Sequence, residues 1–121
     1  MVGLKTQNAD VAHLLRRAGF DGTPAELKYY ESLGYKGTLE ELLNPEKVAN
    51  TKMEDGVAQQ NFDFTAPDDL RRWWIYRMCF TNRPLEEKMT LFWHGHFATS
   101  VQKVRDAYLM WRQNDLFRRF F

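Results

Sequence analysis

The 121 residues of this chain suffice for one domain or part of one, and on closing they bury about 65% of the unfolded surface. With 44% hydrophobic and 27% charged residues the composition is that of an ordinary globular protein, which excludes the disordered and collagen-like classes. Seventeen basic residues against sixteen acidic ones leave a net charge of +1, too little to gather nucleic acid or anionic lipid from a distance.

The first predicted element runs from about Ala9 to Ala18, where Val11, Leu14, Leu15 and Ala18 recur at helical spacing and Gly19 supplies a stop. Thr23-Pro24-Ala25-Glu26 then combines an N-cap hydroxyl, a proline at the first helical position and a glutamate that can return the hydrogen bond. The helix it opens carries Leu27, Tyr30 and Leu33 on one stripe and ends at Gly34. Thr38-Leu39-Glu40-Glu41 repeats the capping box and predicts a short third helix through Leu43, closed by Asn44-Pro45.

From Pro45 to Pro67 no periodicity is sustained and Asn, Asp, Gln and Gly are frequent, which predicts a long irregular loop. Asp68 and Asp69 suit a helix start. The following run, with Trp73, Trp74, Ile75, Tyr76, Met78, Cys79 and Phe80, is apolar on nearly every side and reads as a helix buried all round. Pro84 opens the next helix, with Glu86 and Glu87 in its first turn, expected to stop near His94-Gly95. Thr99 with Gln102 is a weaker capping box for a last helix through Val104, Tyr108 and Trp111 to the end.

The expected fold is therefore all-α, five or six helices in an irregular bundle. Capped helices fill residues 1–44, a loop 45–67 and aromatic-rich helices 68–121, the last three helices sharing their aromatics while the first cover one side. The final run, Leu116 to Phe121, is apolar and arginine-bearing without a stop signal. It reads as an interruption, so a missing C-terminal portion is the expected partner and self-association of the fragment an expected consequence.

No apolar run approaches a membrane span, and the first eight residues lack the features of a signal peptide. A lone cysteine, Cys79, forms no internal disulfide, so the compartment stays open. No cationic or histidine neighbour in sequence marks it as an activated thiolate, and its reading is a core position.

Two constellations could carry chemistry. His94-Gly95-His96 has a spacing that zinc and iron sites use, provided that Gly95 bends the chain into an elbow, because on a continuous helix the rings would diverge by about 200°. A third ligand would come from His13, Asp10, Glu86, Glu87 or Asp106. Against this stands an architectural reading, ranked first, in which His94 meets the helix's last carbonyls and His96 is a hydrogen-bonded core residue. The second constellation is arginines within apolar runs, Arg72 and above all Arg77, which shares a face with Trp73 and Trp74. Arg77 either recognises an anionic ligand or, the preferred reading, forms a structural ion pair with Glu86 or Glu87. Glycine-rich phosphate loops, nucleophile elbows and paired-cysteine motifs are absent from the sequence. Whether the chain is an enzyme therefore stays open.

The runs from His13 to Phe20 with Thr23-Pro24, Arg72-Trp73-Trp74 with Met78, Pro84 to Phe97, and Gln113-Asn114 together resemble the N-terminal part of the bacterial family called domain of unknown function 1800. The resemblance implies a protein several times longer, often associated with export and without assigned chemistry. It also implies a downstream glutamate- and arginine-rich helical motif that this chain lacks. The two functional readings are a helical packing or interaction portion of such a protein, and part of a metal-dependent or hydrolytic site centred on the histidine elbow.

Overall fold

The computed structural model describes residues 2–120, with side chains from Asn8 onward; Phe121 lies outside the described residues. Seven α-helices and no strands occur among them. In chain order they are α1 (Val2–Ala18), α2 (Pro24–Leu43), α3 (Thr51–Gln60), α4 (Pro67–Phe80), α5 (Pro84–Phe97), α6 (Val101–Val104) and α7 (Ala107–Arg119), with a 3-10 turn at Pro45–Lys47. The fold is all-α, with one or two helices more than the sequence suggests. Contacts divide the chain into two compact units, one up to Ala49 with Arg83–Leu85, the other Asn50–Asn82 with the residues from Glu86 on.

The first unit is an α1–α2 hairpin around Val11, Leu15 and Tyr30, with Leu27 packed against them. The turn between the helices is fixed chemically. Thr23 Oγ1 accepts the Glu26 amide at 3.3 Å while Glu26 Oε2 accepts the Thr23 amide at 2.7 Å, the reciprocal pair of a capping box. Close packing at the end of α1 requires a glycine at position 19. A Cβ there would stand 3.0 Å from Pro84 Cβ and 3.1 Å from the Leu15 carbonyl oxygen.

The break expected at Gly34 is present as a non-helical residue, φ 68° and ψ 174°, inside α2. Helix resumes at once after it, so Thr38 opens nothing. Its side chain is buried and its hydroxyl donates to the Tyr30 carbonyl at 2.9 Å, tying the two halves of the kinked helix together. Glu41, expected as the returning arm of that second box, instead accepts from the Tyr29 hydroxyl at 2.9 Å.

In the second unit the stretch read as a loop contains α3. Its signal was hidden because Asn50, at the N-cap position, makes no cap bond. The Asn50 amide serves tertiary contacts instead: Nδ2 donates to Thr81 Oγ1 at 3.1 Å and Oδ1 accepts the Asn82 amide at 2.9 Å. Gly56, a helix breaker on propensity, sits where the Tyr76 hydroxyl would collide with any Cβ. The predicted last helix is likewise two. Ser100, not Thr99, caps α6, Arg105 adopts a left-handed conformation (φ 56°), and Asp106 Oδ1 caps α7 by accepting the Leu109 amide at 3.1 Å. Thr99 donates its hydroxyl to Gln113 Oε1 at 2.5 Å.

Aromatics knit α4, α5 and α7. Phe64 meets Trp73 edge-on at 5.5 Å and stacks on Trp111 at 5.1 Å, and Phe97 stacks on Phe117 at 5.4 Å. The helix expected to be buried all round is not, because within this chain only its Trp73 and Arg77 face is covered. Ile75 and Phe80 remain 56% and 59% exposed, and Cys79, read as a core residue, is exposed.

Gly34 lies in a region of backbone space open to glycine alone, and nothing stands within 4 Å of the position a Cβ would take. Gly34→Ala should therefore lower the stability by about 1–3 kcal/mol through backbone strain without a steric clash, read as a reduced urea midpoint at unchanged m-value.

Candidate functional site

The second unit is organised around a carboxylate with no exposure to solvent. Glu87, on the first turn of α5, has 0% relative accessibility. Its Oε1 accepts from Arg77 Nε at 2.9 Å and from Arg118 Nε at 2.8 Å, and its Oε2 accepts from Arg118 Nη2 at 3.0 Å and from Trp74 Nε1 at 3.2 Å. Arg118 thus grips it bidentately, the geometry in which guanidinium and carboxylate match best. The two guanidiniums also lie 5.6 Å and 5.3 Å from the Trp73 ring centroid, where its π-electrons attract cations.

Burial alone would push the Glu87 carboxyl upward, but the hydrogen bonds and charge of Arg118, followed by those of Arg77, overcome it and hold the group below its ordinary range. Arg77 also donates from Nη1 to Glu54, 3.2 Å and 3.3 Å from the two carboxylate oxygens. Arg118 Nη2 donates further to Asn114 Oδ1 at 2.6 Å. The cluster draws on α3, α4, α5 and α7, all within one unit.

Of the arginine and glutamate candidates, the structure brings together Arg77 and Glu87. Arg72 stays on the surface, paired with Asp69 one turn earlier. Glu86 is buried and its carbonyl accepts the Thr90 hydroxyl at 2.8 Å. Sequence reasoning missed Arg118, Asn114 and Glu54. Asn114 and Arg118 did carry a signal, since polar residues four apart on an otherwise apolar stripe of a helix have to satisfy one another.

The histidines are not brought together. α5 continues through Gly95 to Phe97, so the glycine bends nothing, and the left-handed residue is Ala98 at φ 45°. His94 and His96 therefore project about 200° apart and cannot share an ion. His96 is exposed, stacks on Phe92 and meets Trp93 edge-on rather than lying hydrogen-bonded in a core. His13 is exposed on α1, Asp10 is exposed as well, and Asp106 is a helix cap. Among the described residues no group of three or more His, Cys, Asp or Glu could hold a metal ion.

His94 has a different setting. It is half-buried, its ring meets Trp74 edge-on at 5.1 Å, and burial lowers its pKa below the ordinary histidine value. The neutral imidazole lines a cleft of about 330 Å³ together with Trp73, Trp74, Arg71, Met110 and Asn114.

Removing the charge of Glu87 leaves the buried Arg118 without its carboxylate partner and Arg77 with only the largely exposed Glu54. Glu87→Gln is expected to cost about 3–5 kcal/mol, the range for breaking a buried ion pair from one side, measured by urea denaturation. Acid should act in two steps. A base whose folded pKa is depressed contributes stability that is complete above its unfolded value, about 6.5, and is lost as pH falls; His94→Gln should remove this step from the pH dependence of the melting temperature. The contribution of Glu87 is complete above about 4.3 and disappears only at lower pH.

Comparison with known proteins places this architecture. No curated protein and no solved structure matches the chain. A family model described as "Protein of unknown function (DUF1800)" matches residues 13–121, a span that takes in the end of α1, all of α2, the Glu87 cluster and the cleft. The chain belongs to the DUF1800 family of proteins of unknown function.

Proposed function

We propose that this chain is a helical packing and interaction portion of a larger bacterial protein, in which the Glu87 cluster holds α4, α5 and α7 rigid while their outer faces receive other helices of the same protein. The observation that carries this reading is the apolar surface the second unit leaves uncovered. Ile75, Phe80, Phe92, Phe97, Leu109 and Leu116 are about half or more exposed, and Phe120 is 81% exposed. Single exposed apolar residues are ordinary, whereas clusters of them mark contact surfaces. On α4 they form continuous rows, Ile75 with Cys79 and Tyr76 with Phe80, each one turn apart, the second pair in ring contact at 4.5 Å.

The charged residues around this surface leave it apolar. Arg71 and Arg72 are paired with Asp68 and Asp69 within the first turns of α4, so they form local pairs instead of a basic patch. No helix among the described residues is long and apolar enough to cross a membrane. A protein surface is the occupant that fits these exposed apolar side chains.

Cys79 sits on that face and reports on it directly. In the dilute 121-residue chain its thiol should react with a thiol-specific reagent without denaturant. In a longer protein of the family carrying the same segment it should be protected by at least about tenfold, as expected of a group inside a packed contact. At high concentration the isolated chain should self-associate in sedimentation experiments. Equal labelling in both forms, together with a monomer at high concentration, would overturn the proposal.

A further inference from the structure

The cleft beside the Glu87 cluster has polar groups that the fold itself does not use. Asn114 is only 5% exposed and lines it. Arg118 is a pure donor, so the Asn114 atom 2.6 Å from its Nη2 is the oxygen, and this fixes the amide orientation. The two Nδ2 protons then face away from Arg118 and meet no acceptor among the described residues. The nitrogen is therefore open to the cleft, since every fully buried side-chain nitrogen or oxygen among the described residues has a hydrogen-bond partner.

A second unused group stands on the same wall. Neither ring nitrogen of His94 has a hydrogen-bond partner among the described residues, although the ring is held in place by Trp74. Trp74 is in turn held by its own donation to Glu87. The body of the cleft is apolar, formed by Leu70, Trp73, Trp74 and Met110. No Asp or Glu lines it, and the only charged side chain in its wall is Arg71. The site is thus a cleft with an apolar body, Asn114 and His94 on its wall, the polar Thr99, Ser100 and Gln102 beside them, and Arg71 held by Asp68.

We propose that this cleft binds a small monocarboxylate with a planar or compact apolar body, its carboxylate accepting hydrogen bonds from Asn114 Nδ2 and His94 and its body lying against Trp74 and Leu70. The volume, about 330 Å³, is at the small end of ligand clefts, which start near roughly 300 Å³. An anion is preferred over a cation because the wall offers donors and no carboxylate. A neutral analogue of the same shape keeps the apolar contact and loses the charge-assisted bonds. The site is independent of the outer apolar face discussed above, since Ile75, Cys79 and Phe80 take no part in it.

The test uses the complete 121-residue chain with three probes of one shape: phenylacetate, phenylacetamide and phenethylamine. Binding is followed by calorimetry and by NMR of the Asn114 side-chain NH₂. Phenylacetate should bind saturably and shift the Asn114 NH₂ resonances, with the amide at least about tenfold weaker and the amine weaker still. Asn114→Asp keeps an oxygen for Arg118 but replaces the donor with a second acceptor, so it should weaken phenylacetate by about tenfold or more while circular dichroism stays unchanged. Absence of saturable binding, amide or amine binding as tight as the acid, or undiminished binding by a folded Asn114→Asp variant would overturn the proposal. Should that variant not fold, the probe series and the Asn114 resonances on the unaltered chain decide the question alone.

Discussion

A carboxylate taken fully out of water loses hydration worth several kcal/mol even after the protein relaxes around it. Glu87 can be where it is only because four donors from two other helices converge on it, Arg77 and Trp74 from α4 and Arg118 from α7. This requirement fixes much else in the second unit. Arg77 must project from the same face of α4 as Trp73, one turn earlier, which puts the indole under both guanidiniums. On α7, Asn114 and Arg118 are likewise one turn apart, so the amide is drawn into the cluster along with the arginine. Along α5 the buried stripe runs Glu87, Thr90, His94, at offsets of three and seven residues, and the histidine is carried to the edge of the cleft by helical periodicity alone.

Such a cluster is a poor source of net stability, since the attraction among the ions mainly offsets their desolvation. Its contribution is uniqueness. An apolar interface between α4, α5 and α7 could slide by a turn at modest cost, because the faces are rich in interchangeable aromatic and aliphatic groups. Glu87 prevents this, for any shift would strand a buried charge. The same constraint leaves a residue of polarity that packing does not need. Oδ1 of Asn114 is required by Arg118, and the amide nitrogen comes with it, aimed into open space.

What could be read beforehand divides along the same physical lines. Boundaries written in local chemistry were legible: the reciprocal bonds of Thr23 and Glu26, the glycine break in α2, and proline at the head of α5 all act over three or four residues. Residues whose side chains serve distant partners were misread. Thr38 looks like a cap but bonds the Tyr30 carbonyl, and Asn50 looks like part of a loop but ties α3 to the end of α4. The sequence predicts a bend at Gly95, yet α5 tolerates the glycine and the left-handed residue is Ala98, just past the helix end. In the cluster the pairing of Arg77 with one of two adjacent glutamates was foreseeable from burial and charge. The part played by Arg118, thirty-one positions beyond Glu87, was not, because no local pattern encodes a distance in the folded molecule.

The apolar character of α4 on every side follows from the same division of labour. Residues 73 and 77 lie on one row and 75 and 79 on a row about 160–200° away. The first row is spent on the ion cluster, where an aromatic ring and a guanidinium are required. The second has no role within this chain, and nothing in the energetics of the second unit demands that Ile75, Cys79 or Phe80 be apolar. An exposed helix surface without such a demand drifts toward charged residues, which favour solubility and helix formation. α4 shows that pattern only in its first turns, where Asp68, Asp69, Arg71 and Arg72 pair among themselves. Under the proposed reading the apolar side chains beyond them are a second packing surface, presented by a helix that Glu87 fixes on its inner side.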